Sequence, residues 1–116
     1  MYNKIYYPYL STNKKNKNFI ITNTGKKLKF GAYGYNDYTT YYKTYGKEIA
    51  DQHKLRYIKR HSNSNENWND PNTKSYWSRW LSWSYPTKEE AYEKKIKKDL
   101  LKLGYITKEQ YDEYKI

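Results

Sequence analysis

A chain with seventeen tyrosines, four tryptophans, two phenylalanines and not one valine cannot build the aliphatic core on which most small domains rest. Leu, Ile and Phe are too few for that, and at a net charge of +11 such scarcity ordinarily signals disorder. The aromatic rings refill the apolar inventory. A core made from them must also find hydrogen-bond partners for phenol and indole groups, so the fold is expected to be small and partly polar inside. At 116 residues one compact domain with terminal extensions is the natural reading, which leaves no room for a multidomain enzyme.

The charge is unevenly placed. Residues 1–60 carry thirteen basic and three acidic side chains, whereas residues 61–116 are almost balanced, with ten and nine. Lysine outnumbers arginine twenty to three, and a codon bias towards Lys, Asn, Ile and Tyr would explain the lysines. It does not explain why acids avoid the first half. A concentrated positive surface points to a polyanion, with nucleic acid first and an acidic membrane or protein second. The absence of cysteine excludes a disulfide scaffold and thiolate metal sites. The longest aliphatic runs, Phe19-Ile20-Ile21 and Leu100-Leu101, are far too short for a bilayer span or a signal-peptide core, so no membrane partner is expected.

Local patterns predict an α+β fold. Residues 1–16, rich in Tyr, Asn and Lys and interrupted by Pro8, read as an extended basic arm. Two short runs, Lys17 to Thr22 and Lys27 to Gly31, flank an Asn23-Thr24-Gly25-Lys26 turn and read as a β-hairpin. Phe19, Ile21, Leu28 and Phe30 are expected on one face, with Lys27 and Lys29 on the other. After a Gly31/Gly34 loop, Tyr42 to His61 reads as a basic helix, weakened at Gly46. A polar loop from Ser62 to Thr73 leads to a short Trp-rich helix up to Trp83, closed by Pro86. Thr87-x-x-Glu90 and Thr107-x-x-Gln110 read as capping boxes, and Tyr92, Ile96, Leu100 and Leu103 as an apolar stripe, with Gly104 as the stop between two helices. The expected organisation is an arm at 1–16, a core at 17–86 and a C-terminal helical hairpin at 87–116.

The order of blocks Phe30-Gly31-Ala32-Tyr33-Gly34-Tyr35-Asn36-Asp37-Tyr38-Thr39, Arg56-Tyr57-Ile58-Lys59-Arg60-His61, Glu66-Asn67-Trp68 and Tyr76-Trp77-Ser78-Arg79-Trp80-Leu81-Ser82-Trp83 resembles a family of small basic proteins of unknown function encoded by giant DNA viruses. The resemblance covers roughly half the chain and implies a viral source, in the virion interior or the virus factory of the host cytoplasm, but no mechanism. Tyr41 and Tyr42 stand where that family tends to place a histidine, and an insertion precedes Arg56. The tail from Ile96 to Tyr111 is similar to the SHOCT module, a C-terminal helical hairpin that packs on a neighbouring domain or subunit.

Several groups are candidates for chemistry. His53, Arg56, Tyr57 and Arg60 share a helical face flanked by Lys59 and His61, a pattern suited to phosphate oxygens or, more simply, to a solvated face paired with Glu48 or Asp51. Lys14, Lys15 and Lys17 in the arm and Lys26, Lys27 and Lys29 on the hairpin are candidate phosphate-tracking residues. Arg79 joins them among the four tryptophans. Trp68, Trp77 and Trp83, with Tyr35 and Tyr38 from the Tyr/Gly loop, are candidates for base stacking or a protein interface, core packing being the competing role; Trp80 is expected in the core. With only three arginines, base-specific readout is not expected.

These features favour sequence-independent nucleic-acid binding, DNA before RNA. The alternative is a minor capsid or core protein that docks on itself or on another virion protein through the aromatic cluster and the tail. A nuclease using His53 or His61 ranks last, because the basic half offers only Asp37, Glu48 and Asp51 as carboxylates. Neither a cofactor nor a metal is expected.

Overall fold

The computed structural model describes residues 2–62 and 66–116. Strands β1 (Tyr9–Leu10), β2 (Asn16–Ile21) and β3 (Lys27–Ala32) form an antiparallel sheet in the order β1-β2-β3. Helices then follow: α1 (Tyr38–Tyr45), α2 (Lys47–His61), α3 (Lys74–Trp77), α4 (Lys88–Ala91), α5 (Lys97–Lys102) and α6 (Lys108–Glu113). The α+β architecture, strands first and helices after, is the one read from the sequence. No helix among the described residues is long and apolar enough to cross a membrane.

The hairpin forms where expected, but its faces differ. Ile20 pairs with Leu28 and Asn18 with Phe30, so Ile20, Leu28 and Phe30 face the core, while Phe19 pairs with Lys29 and points the other way. With Phe19, Ile20 and Ile21 consecutive, alternation could not choose the register. The second face is covered as well: the Phe19 ring meets Tyr9 at 5.5 Å and Tyr2 at 4.9 Å, and the Lys27 ammonium sits 4.1 Å from its centre.

Those tyrosines come from residues 1–16, which are not a free arm. Tyr6 is fully buried in the core cluster, and its phenol donates to Asn72 Oδ1 at 2.7 Å. Its N–H donates to the Ile21 carbonyl at 2.8 Å, and its carbonyl accepts from the Tyr92 hydroxyl at 2.9 Å. The Tyr6 ring also stacks on Tyr105 at 5.2 Å. These contacts hold a backbone at φ +50°, a conformation that tyrosine rarely adopts. A chain so short of aliphatics recruits its N-terminal aromatics into the core.

Residues 38–61 form two helices rather than one. Asp37 caps α1 in a reciprocal box with Thr40, and Gly46 separates α1 from α2 at φ +91°, ψ 178°, a region open essentially to glycine alone. Thr73 caps α3, which passes into a π-helical turn, Ser78–Ser82. Trp77 and Leu81, four residues apart, are fully buried, while Trp80, expected in the core, is turned further from Trp77 by this wider turn and is only partly buried, its Nε1–H donating to the Trp68 carbonyl at 2.7 Å.

The Thr87 side chain caps α4, and a second π-helical turn, Tyr92–Ile96, joins α4 to α5. Thr107 and Gln110 form the reciprocal box of α6. Tyr92, Ile96 and Leu100 are buried as expected, but Leu103 is half exposed and Ile106, beyond Gly104, is buried instead. One apolar cluster runs through Tyr6, the sheet, Trp77 and residues 91–114, so the C-terminal hairpin spends its stripe on the chain's own core.

Tyr6→Ala is expected to cost about 3–5 kcal/mol, the range for truncating a large buried aromatic. Leu10→Ala, at a side chain 78% exposed, should stay within about 0.5 kcal/mol. Urea denaturation of the two variants measures the difference.

Candidate functional site

A cleft of about 620 Å³ opens where the end of the hairpin, α2 and the Trp-rich segment meet. Lys17 of β2 and Gly31 and Ala32 of β3 make one wall, continued by Tyr35, Asn36 and Asp37; Tyr41 contributes from α1. His53, Arg56, Tyr57, Arg60 and His61 of α2 make the second, and Ser78, Ser82 and Trp83 the third, with Glu66 beside them. Gly31 permits this meeting. At φ +75° it accommodates a backbone that an L side chain would strain, and a Cβ there would lie 3.3 Å from the Lys17 Cβ.

Asp37 holds the walls together. Its carboxylate lies 3.0 Å from both the Lys17 and the Lys88 ammonium groups and accepts the Thr39 hydroxyl at 2.7 Å, while it also caps α1. Burial alone would raise its pKa, but the Lys88 charge, the Thr39 hydrogen bond and the Lys17 charge together bring it down to about 2. Glu66, the other acid of the cleft, lies 2.7 Å from His61 Nδ1. Arg56 and Arg60 are exposed at the rim and form no ion pair among the described residues. Of the competing expectation, a solvated face with one or two pairs to Glu48 or Asp51, the solvation of both arginines is seen, but no such pair forms among the described residues: Asp51 takes Lys47 and the Tyr38 hydroxyl.

Aromatic rings line the interior. His53 stacks on Tyr41 at 3.8 Å and 4°, and Tyr57 stacks on Trp83 at 4.9 Å and 7°. The Tyr57 hydroxyl and Ser82 Oγ are buried without a hydrogen-bond partner among the described residues. Burial, then the Glu66 charge, pushes the Tyr57 phenol upward, so it stays a neutral donor and acceptor.

The other candidates separate clearly. Lys14 and Lys15 are exposed at the cleft end of the sheet, where the Lys15 carbonyl accepts from the Tyr33 N–H. Lys26, Lys27 and Lys29 are exposed towards the other end; the five steps from Lys27 to Ala32 span roughly 17 Å. Lys59 is exposed on α2, outside the cleft lining.

Four expectations need correction. Lys17 is committed to Asp37 and does not present a free charge. Arg79 is half-buried, lies 4.2 Å from the Trp80 ring and 5.4 Å from that of Trp68, and donates to the Trp83 carbonyl at 3.0 Å, which makes it a brace rather than a phosphate contact. Tyr38 is 3% exposed with its hydroxyl on Asp51, and Trp77 is fully buried with Nε1–H on the Pro71 carbonyl at 2.8 Å; neither can stack on a base without opening the fold. Tyr35 and Trp83 do line the cleft, whereas the Trp68 ring packs behind Tyr57.

Sequence reading gave no cleft role to Ser82 or Lys88 and saw Asp37 only as one of three carboxylates in the basic half. The Asp37-x-x-Thr40 spacing was a visible helix-start signal, but nothing local joined it to Lys17 or Lys88. No protein-family model, no curated protein and no solved structure matches the chain.

Because the Asp37 carboxyl is more acidic in the fold than in the unfolded chain, its stabilisation is complete above the unfolded pKa, near 4, and disappears as pH falls through 2. The wild-type protein should lose about 2 kcal/mol over that window from this group alone. In Asp37→Asn that increment should be missing, as denaturant titrations at pH 2.5 and 6 would measure.

Proposed function

We propose that the protein binds nucleic acid without reading its sequence, using the rim of this cleft to hold phosphates. The observation that carries the reading is the division of charge. Asp37 is paired with two lysines and Glu66 lies against His61, whereas Arg56 and Arg60, one helical turn apart on α2, have no ion pair among the described residues. Arginine forks match phosphate oxygens in two hydrogen bonds each, and Lys14, Lys15 and Lys59 extend the positive surface. On the family resemblance of residues 30–87, the polyanion is a viral genome or transcript, met in the virion or the virus factory.

The alternative, a virion scaffold docking through its tail and tryptophans, is less well supported. Tyr92, Ile96 and Leu100 are spent inside the chain, and Trp77 is inaccessible.

Fluorescence anisotropy of labelled 30-mers against salt tests the proposal. Affinity should fall linearly on logarithmic axes, with a slope near −0.9 per phosphate neutralised on duplex and about −0.7 on single strands. Arg56→Ala and Arg60→Ala should each flatten that slope by about one and weaken all sequences alike. Lys98→Ala, on the exposed side of α5, should leave it unchanged. Absence of binding to either strand form at low salt would overturn the proposal.

A further inference from the structure

Building on the nucleic-acid reading, we propose that the cleft is a pocket for one unpaired nucleotide, so that the protein prefers single strands to intact duplex. A surface that only neutralised phosphates would need neither depth nor aromatic walls. This cleft has both, and its volume falls in the range of roughly 300–1,000 Å³ typical of small-molecule sites.

Its chemistry is zoned as a nucleotide is. Arg56 and Arg60 stand at the rim, where a phosphate would remain in water, and the stacked pair Tyr41–His53 and the Trp83 ring, stacked on Tyr57, give the lining the aromatic surface on which a base can stack. Tyr57 and Ser82 line it as well, with the Tyr57 hydroxyl and Ser82 Oγ closed off from solvent in its wall. Five side chains have buried polar atoms without a partner among the described residues: Asn18, Tyr57, Trp68, Arg79 and Ser82. Tyr57 and Ser82 line the cleft; the Trp68 ring stacks on Tyr57 at 6.4 Å, and the Arg79 guanidinium lies 5.4 Å from the Trp68 ring.

An unsatisfied buried group costs about 1–3 kcal/mol, and a ligand that reaches these two hydroxyls from the cleft regains that cost. Hydroxyls both donate and accept, so they take the edge of any base, as a sequence-independent protein requires. A paired base offers neither a free edge nor a free face. It would have to leave the stack at a cost of a few kcal/mol, and that cost is what sets single strands apart from duplex.

Anisotropy at one fixed salt concentration, with a labelled single-stranded 12-mer and its duplex, tests the inference on the full chain. Single-strand affinity should exceed duplex affinity by about tenfold or more, in line with the unstacking cost. Tyr57→Phe and Ser82→Ala should each lower single-strand affinity three- to tenfold, the range of one lost hydrogen bond, and leave duplex affinity unchanged. Both variants remove an unpartnered hydroxyl, so urea denaturation should find their stability equal to wild type or slightly higher; a loss of binding then reports the pocket rather than the fold.

Equal affinity for the two strand forms, or single-strand binding insensitive to both substitutions, would overturn the pocket while leaving phosphate binding intact. Failure to bind either form would remove the underlying reading as well. Competition by thymidine monophosphate or inorganic phosphate as effective as that by the unlabelled 12-mer would overturn the assignment to a strand, in favour of a free-ligand site.

Discussion

A carboxylate buried between two ammonium groups is costly to assemble and hard to move, and the Asp37 cluster joins three parts of this chain that are far apart in sequence. Lys17 brings β2, Lys88 brings the start of α4, and the carboxylate itself starts α1. Removing one partner from such a cluster leaves an uncompensated charge in a poorly solvated place, so the arrangement is fixed as a unit. That unit sets the hairpin against α1, and α1 carries α2 through the Gly46 break. It also bears on the charge of the cleft: Asp37, one of its two acids, is already paired with two lysines.

The second constraint is the aromatic core. Every large ring brought inside carries a polar tip, and most are met by specific partners: Tyr6 by Asn72, Tyr76 by Asp99 at 2.7 Å, Tyr92 by the Tyr6 carbonyl, Trp77 by the Pro71 carbonyl. Such a core is specified by directional bonds as much as by volume, which explains how so few aliphatics suffice. Against that background the Tyr57 hydroxyl stands apart. It is buried, yet no group among the described residues meets it, and it belongs to a residue lining the cleft at whose rim Arg56 and Arg60 stand.

What was legible in the sequence is what short-range physics controls. The hairpin followed from two short runs around Asn23 and Gly25, the last helices from Thr87 and Thr107, and the shared face of His53, Arg56, Tyr57 and Arg60 from helical spacing alone. The remainder depended on contacts between distant residues. Tyr6 reaches Asn72 and Tyr92, and Asp37 reaches Lys88, across separations that no local pattern encodes. The strand face was ambiguous because Phe19 and Ile20 are both apolar and the sheet is covered on both sides. The choice between Trp77 and Trp80 turned on a π-helical turn, which spacing rules for an α-helix do not anticipate.

Everything proposed for function rests on the cleft being where the polyanion lies, and nuclear magnetic resonance of the labelled protein addresses this directly. During titration with a single-stranded oligonucleotide at low salt, the account expects the largest shifts at the Nε–H groups of Arg56 and Arg60 and at the amides of Gly31, Tyr57 and Ser82. Shifts confined to the hairpin-turn lysines or to residues 88–116, or the absence of any shift, would contradict it.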